Sequence, residues 1–404
     1  MITPRQLFLQ HIAQTSPTPL LLEIERTEGM YLYSPDGKPY LDLIAGIGVS
    51  CLGHRHPAVV EAVQGQLGKY LHTLVYGEFV LAPQVQLAEL LARCLPDSLD
   101  SVYFVNSGTE ATEGAMKLAK RYTGRYEIVA CKKAYHGSTQ GAASLMWPKD
   151  FTQAYHPLLP GIRHIEYNCE WCLQQITERT AAVVMETVQG EWGVRPPTEG
   201  YLQKVRERCD EMGTLLIFDE IQAGYGRTGS LFAFEQYGVA PDILLLAKGM
   251  GGGMPIGAFI ASRKIMSALS DNPILGHITT FGGHPVSCAA ALATLETLRE
   301  SDLIGQVKAK EQLFLELLQH PDIVEVRSAG LWLAVELGSF ERVQAVIKHC
   351  LEQGLVTDWF LFNSRSLRIA PPLIITGEQI RWACGVILEG LEKTKQVGRA
   401  SSGF

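Results

Sequence analysis

The chain of 404 residues has no run approaching the ~20 apolar residues that a membrane span requires. Its longest apolar stretches, such as Ile243 to Ala247, have the length of buried strands. The amino terminus, Met1-Ile2-Thr3-Pro4-Arg5-Gln6, has no basic stretch leading into an apolar run and reads as lacking a signal peptide. There is no basic excess either: 35 Lys and Arg against 42 Asp and Glu give a net charge of −7, which argues against a nucleic-acid binder with a clustered basic face. The cysteines form no framework. Nine are scattered at 51, 94, 131, 169, 172, 209, 288, 350 and 384, an odd number expected as free thiols in a reducing cytoplasm. Cys169-Glu170-Trp171-Cys172 has the spacing of a redox pair or half a zinc site, but no second CxxC or His pair accompanies it, so it is read as coincidence. No GxGxxG follows the first strand-like runs, which excludes a Rossmann dinucleotide fingerprint. Repeats and low-complexity linkers are absent, and the small polar tail from Gly398 to Phe404 is expected to fray.

What is present is ample core material. Hydrophobic residues make up 47% and charged residues 19%, and the length suits one large domain plus a smaller one. Several apolar runs end abruptly in polar or glycine-rich loops. Ser101 to Val105 leads into Asn106-Ser107-Gly108-Thr109, Ala181 to Met185 stops at Glu186, Leu215 to Phe218 stops at Asp219-Glu220, and Ile243 to Ala247 stops at Lys248. The lack of alternation predicts strands covered on both faces in a mostly parallel sheet. Amphipathic stretches such as Glu110 to Tyr122 and Gly200 to Met212 read as crossover helices, so the class is α/β. Ligands of open α/β sheets sit at the carboxyl ends of the strands, which places Asn106, Glu186, Asp219 and Lys248 together. The ends of the chain read differently. Glu23 to Leu43 carries a hairpin signature around Ser34-Pro35-Asp36-Gly37. The carboxyl-terminal part mixes helices (303–318, 340–353) with short strands (323–326, 331–337). The expected division is 1–54 and 296–404 building one small α+β domain from both termini, and 55–295 as the large domain.

Three segments point to chemistry. Ser107-Gly108-Thr109-Glu110 follows a strand and opens a helix, where exposed N–H groups and the helix dipole favour an anion; a plain helix cap by Ser107 or Thr109 reads equally well. Asp219, at a buried strand end, needs a partner to offset its desolvation, and a protonated ring nitrogen is a suitable one; a capping Asp is the alternative. Lys248, after an apolar strand and before Gly249-Met250-Gly251-Gly252-Gly253, sits where desolvation lowers an amine pKa and makes it a nucleophile toward an aldehyde. Taken alone it reads as a solvated loop lysine. The order of the three, with the lysine 29 positions after the aspartate, carries the inference.

The order and two blocks resemble the class III aminotransferases of pyridoxal-5′-phosphate (PLP) fold type I, which include acetylornithine, ornithine and 4-aminobutyrate aminotransferases. The blocks are Asp219 to Gly229 (DEIQAGYGRTG) and Thr279 to Pro285 (TTFGGHP), the latter with His284 where the family usually has Asn. The resemblance runs from Leu41-Asp42 to Arg368. It implies that Lys248 forms the Schiff base and shuttles the proton, that Asp219 pairs with the pyridine nitrogen and that Gln222 bonds near the ring 3′-oxygen. It implies further that Ser107, Gly108 and Thr109 bind the phosphate, that Tyr135 stacks on the ring, and that His136 and Glu186 belong to the cofactor site. Thr280 would reach the phosphate in a neighbouring subunit, making a homodimer necessary. Arg368 matches the arginine that grips a substrate carboxylate, and Glu191 a glutamate that masks it while an ω-amine binds.

The sequence also departs from that pattern. Ser138 stands where acetylornithine and ornithine enzymes carry arginine after the aromatic-His-Gly motif, and a serine does not bind carboxylate as a guanidinium does, which weighs against acetylornithine. Ile47 replaces a tyrosine of ornithine enzymes. The expectation is a cytoplasmic PLP-dependent transaminase that moves an amino group from an ω-amino acid or primary amine to a keto acid, 2-oxoglutarate first. An aminomutase, racemase or decarboxylase on the same fold is the alternative, because these differ only in which bond at Cα breaks.

Overall fold

A computed structural model of the chain describes residues 2–395; the tail expected to fray lies outside them. Among these residues no helix is long and apolar enough to cross a membrane.

The centre is a seven-stranded sheet. Its order is Ser101–Val105, Gly257–Ala261, Ile243–Leu246, Leu215–Asp219, Thr180–Glu186, Glu127–Cys131 and Ile162–Ile165. Six strands run one way, and Gly257–Ala261 is antiparallel to both its neighbours. The apolar runs are continuous because successive residues feed two cores. Val183, Met185, Leu216, Phe218, Leu244 and Leu246 pack on one face, while Ala182, Val184, Leu215, Ile217, Ile243 and Leu245 pack on the other. Strand geometry sends neighbouring side chains to opposite faces, and each fully buried Leu, Ile or Phe contributes roughly 1.5–3 kcal/mol. The fold is therefore the mostly parallel α/β sheet that the sequence predicts, with one antiparallel strand added.

The helix Gly108–Thr123 covers one face. Ser107 Oγ accepts the Glu110 N–H at its start, and Gly124 closes it in the left-handed conformation at φ 68°. At Gly114 a Cβ would strike the Phe259 ring, so glycine is what brings this helix down onto the sheet. The expected crossover helix at 200–212 is Tyr201–Met212.

Two four-stranded sheets lie at the chain ends. One is the hairpin region, Arg26–Glu28, Tyr31–Tyr33 and Pro39–Asp42, joined by Leu355–Val356 in parallel register, with Leu41 opposite Leu355 and Asp42 opposite Val356. The other is antiparallel, ordered Glu325–Ser328, Leu333–Glu336, Asn363–Ile369 and Asp358–Phe360. The expected helix at 303–318 begins at Val307, because Asp302 to Gln306 close a turn first. The strand expected at 323–326 forms two residues later. Helix Pro285–Glu300 runs through position 295, the expected end of the large segment.

The cysteine reading needs one correction. Cys169 and Cys172 are joined as a disulfide, their Cα atoms 5.4 Å apart, because a tight turn in which the Cys172 N–H donates to the Cys169 carbonyl brings the two sulfurs together. The other seven cysteines are free, as expected.

Candidate active site

The carboxyl ends of the parallel strands open onto a cavity of about 520 Å³. Asn106, Ser107, Gly108, Thr109, Tyr135, His136, Glu186, Asp219, Gln222 and Lys248 all line it. Ten residues singled out in five separate stretches of sequence thus meet in one place. Thr280 does not line it and is exposed, whereas its neighbour Thr279 accepts from the Asn106 side chain at 3.4 Å.

Asp219 is 4% exposed. Its Oδ1 accepts the Ile221 N–H at 3.0 Å, and its Oδ2 lies 2.6 Å from Nδ1 of the fully buried His136. These contacts fix the carboxylate at the strand end. Across from it, Lys248 donates from Nζ to Gln222 Oε1 at 3.0 Å. Burial pulls the Lys248 amine below its ordinary range, with nearby Glu191, Asp219 and Glu186 opposing and Arg368 assisting. Lys248 also holds φ at 46°, a left-handed conformation that non-glycine residues adopt at a cost and that concentrates at functional sites. Burial raises the Glu186 carboxyl well above the usual range; the adjacent Asp219 adds to this and the Gly190 N–H opposes it.

The anion end is built from small residues. A Cβ at Gly108 would come 2.8 Å from Ile221 Cδ1, and one at Gly137, where φ is 130°, would collide with the Thr109 side chain. Thr109 Oγ1 and Thr139 Oγ1 share a hydrogen bond of 2.7 Å, and Thr139 donates to Glu113. Tyr135 OH lies 2.9 Å from the Ser138 hydroxyl.

Beside the cavity, Arg368 is 3% exposed and Glu191 7%. Arg368 Nη2 donates to Glu191 Oε2 at 2.9 Å and to the Trp359 carbonyl at 2.8 Å. Glu191 Oε2 also accepts the Leu361 N–H at 2.8 Å. Sequence reasoning missed several participants. Asp358 Oδ1 lies 3.1 Å from Arg368 Nε. Trp332 forms a wall of the cavity, its ring so close to Gly190 that a Cβ there would overlap it. Asp42 caps Ile44 and Ala45 and pairs with His54 at 2.8 Å, holding Ala45 to Gly48 in four successive positive-φ conformations. Asp358 had a legible signal, a carboxylate between apolar strand residues in Val356-Thr357-Asp358-Trp359-Phe360. Trp332 had none.

Several polar atoms in or beside the cavity are buried without a hydrogen-bond partner among the described residues, including His136 Nε2, Glu186 Oε2, Gln222 Nε2, Trp332 Nε1 and Arg368 Nη1. Buried polar groups are normally paired, so these point at a bound group rich in donors and acceptors. A partly buried lysine, a fixed carboxylate and a small-residue cradle at a helix N-terminus fit PLP, whose aldehyde, ring nitrogen and phosphate match them in turn. Fold and site together define a PLP-dependent enzyme of fold type I.

Comparison with known proteins agrees. The chain belongs to the class III aminotransferases, matching that family over residues 12–391, and is a PLP-dependent transaminase. It is 42% identical over 369 residues to acetylornithine aminotransferase from Methanopyrus kandleri, covering 90% of this chain and 92% of that one. Ornithine aminotransferase from Toxoplasma gondii, whose crystal structure has PLP at partial occupancy in the active site, superposes with a TM-score of 0.90 at 30% identity, covering 96% of this chain and 93% of that one. Adenosylmethionine-8-amino-7-oxononanoate aminotransferase from Methanocaldococcus jannaschii gives 0.89 at 28%, covering 96% and 98%.

Proposed function

We propose that this transaminase takes its amino group from an ω-amino acid or primary amine and passes it to 2-oxoglutarate in the cytoplasm, as a homodimer. The observation that carries the reading is the Arg368–Glu191 pair at 2.9 Å beside the cavity that holds Lys248. A two-substrate cycle alternates between a donor with no carboxylate near the reacting carbon and an acceptor that has one. Glu191 neutralises the guanidinium for the first, and Arg368 grips the carboxylate of the second bidentately once Glu191 withdraws.

When bound, PLP supplies an electron sink for bonds at the carbon bearing the amine. Lys248 would hold the cofactor and, once released, would offer Nζ as the group that takes and returns a proton at the carbon bearing the amine. Its lowered pKa suits this, because a general base works best near the operating pH. Asp219, oriented by His136, would pair with the ring nitrogen, and Gln222 would bond near the ring oxygen. Ser107, Gly108 and Thr109 would hold the phosphate at the start of helix Gly108–Thr123, Tyr135 would stack on the ring, and Glu186 would complete the wall. Thr280, exposed on its own subunit, serves a neighbour's phosphate. Exposed Ile278 and Phe281 nearby, with Phe281 packed on His72 at 4.9 Å, support a subunit contact there. Seven free thiols support a reducing compartment, and the Cys169–Cys172 disulfide runs against it. Ser138 supports a donor whose tail carries no carboxylate at that point.

The test is to mix PLP-loaded protein with glutamate and record the spectrum, expecting conversion to the pyridoxamine band. Conversion followed by turnover with a panel of ω-amines supports the reading. An unchanged spectrum, or turnover without any keto acid, overturns it.

A further inference from the structure

Arg368 is held by two carboxylates, and only one of them sits on a loop. Glu191 lies in the bend between Gln189 and Arg195, whose backbones pair across it. Asp358 lies on a strand directly opposite Arg368 in the antiparallel register, so the sheet itself fixes the spacing of that pair. We propose that Asp358 is a positioning residue that anchors the Arg368 guanidinium from the sheet and takes up a proton from solvent when a substrate carboxylate replaces Glu191 at Nη2. This inference rests on Arg368 being the carboxylate site.

Charge counting motivates it. The groups facing Asp358 are Arg368 on its neighbouring strand, Glu191 on the loop, and Asp42 on the hairpin strand with His54 behind it. One guanidinium therefore meets two direct carboxylates, a net charge of −1 in a pocket where Arg368 and Glu191 side chains are 4% and 9% exposed. A ligand carboxylate adds another negative charge. Low-polarity surroundings make such an excess costly unless one group is neutralised. Asp358 is the group placed to accept the proton. Its Oδ1 is buried and receives no hydrogen bond, whereas Glu191 Oε2 accepts two, from Leu361 and Arg368. Asp358 lacks such hydrogen bonds at Oδ1, so nothing there offsets the burial of its charged form. Consistent with this, burial raises the Asp358 carboxyl to about 6, with Arg368 opposing and Glu191 and Asp42 reinforcing. The guanidinium also lies over the Phe360 ring, 4.5 Å from its centroid, so with Asp358 neutral it keeps a fixed place while Nη1, unpartnered now, meets the ligand.

The experiment is calorimetric binding of glutarate, a dicarboxylate that cannot react, to PLP-loaded enzyme at pH 7. Buffers of different ionisation enthalpy count the protons taken up, and the cofactor's own protonation is read from its absorbance and subtracted. Wild type is expected to take up between about half and one proton, with affinity falling several-fold, up to ~tenfold, per pH unit between pH 6.5 and 8, the limit for one linked proton. Asp358→Asn is expected to take up close to none and to show a flat profile. Absence of uptake in wild type, or the same uptake in Asp358→Asn, overturns the inference. The wild-type measurement decides even if the variant folds poorly. Arg368→Gln separates the two readings. Weakened glutarate binding there, with uptake persisting in Asp358→Asn, overturns this inference alone; unchanged binding in Arg368→Gln overturns both.

Discussion

Arg368→Gln removes the cation placed between Glu191 and Asp358, so its cost should depend on pH. Leaving a buried charge unpaired costs about 3–5 kcal/mol, and Arg368 pairs with Glu191 at 2.9 Å and Asp358 at 3.1 Å. Burial pushes the Asp358 carboxyl up from 3.8 to about 6 in the fold. A carboxyl raised in this way binds its proton more tightly in the native state than in the unfolded chain, so it costs nothing when both are protonated. The cost grows as pH climbs from about 4 to 6 and stays level above, reaching about 3 kcal/mol for a carboxyl held that far above its unfolded value. Without Arg368, whose charge opposes the rise, the native pKa moves above 6 and the cost keeps growing past it. The loss relative to wild type is therefore expected to be about 3–5 kcal/mol at pH 8. At pH 5.5 it is expected to be smaller by at least ~1.4 kcal/mol, the worth of a tenfold change in proton affinity. Denaturant unfolding of PLP-loaded enzyme at both pH values, at one protein concentration, measures it. An equal loss at both pH values refutes the argument that Asp358 carries the charge imbalance.

Three further outcomes are expected. Lys248→Ala should abolish turnover, a loss of at least ~10³-fold for a residue that is both attachment point and proton carrier, and should remove the borohydride-sensitive absorbance band. Gly137→Ala places a methyl group against Thr109 at a φ of 130°; cofactor retention on dialysis should fall by about tenfold or more, with the fold kept by circular dichroism. Ser138→Arg should shift preference toward donors with a distal carboxylate by about 10–100-fold in kcat/KM, the worth of a charge-assisted pair of ~1.5–3 kcal/mol; no change in the ratio would mean that position 138 does not face the donor.

Part of the sheet was legible where strands are covered on both faces, since burial on both sides writes an unbroken apolar run, although Glu127–Cys131, buried throughout, opens with a charged residue and was not read. Thr180–Glu186, Leu215–Asp219 and Ile243–Leu246 follow this rule, and their polar terminators led to the cavity. Gly257–Ala261 obeys it too, but its run opens with glycine, and nothing local reveals that it enters the sheet antiparallel. Pairings between distant segments were beyond sequence reading. His136 meets Asp219 across 83 positions, and only the closed sheet brings them together. Asp358 was overlooked although the reasoning applied to Asp219, that a carboxylate in apolar company needs a partner, holds for it as well. The pairing of Arg368 with Glu191 came from resemblance and is matched by the geometry; the second carboxylate did not.

The parallel pairing of Leu41 with Leu355 has a consequence in time. The two strands are 314 positions apart, so during synthesis the hairpin strand Pro39–Asp42 emerges roughly 15–60 s before its partner at ordinary translation rates of ~5–20 residues per second. Throughout that interval its outer edge is an unpaired row of N–H and carbonyl groups, and Asp42, Arg368 and Asp358 are not yet neighbours. The cofactor end of the cavity, made within residues 106–248, can take shape while the chain is still being made, whereas the carboxylate end waits for nearly the whole polypeptide. A ribosome-bound chain stalled after residue 300 would then carry the cofactor end of its own cavity but not Arg368, the group that grips a substrate carboxylate.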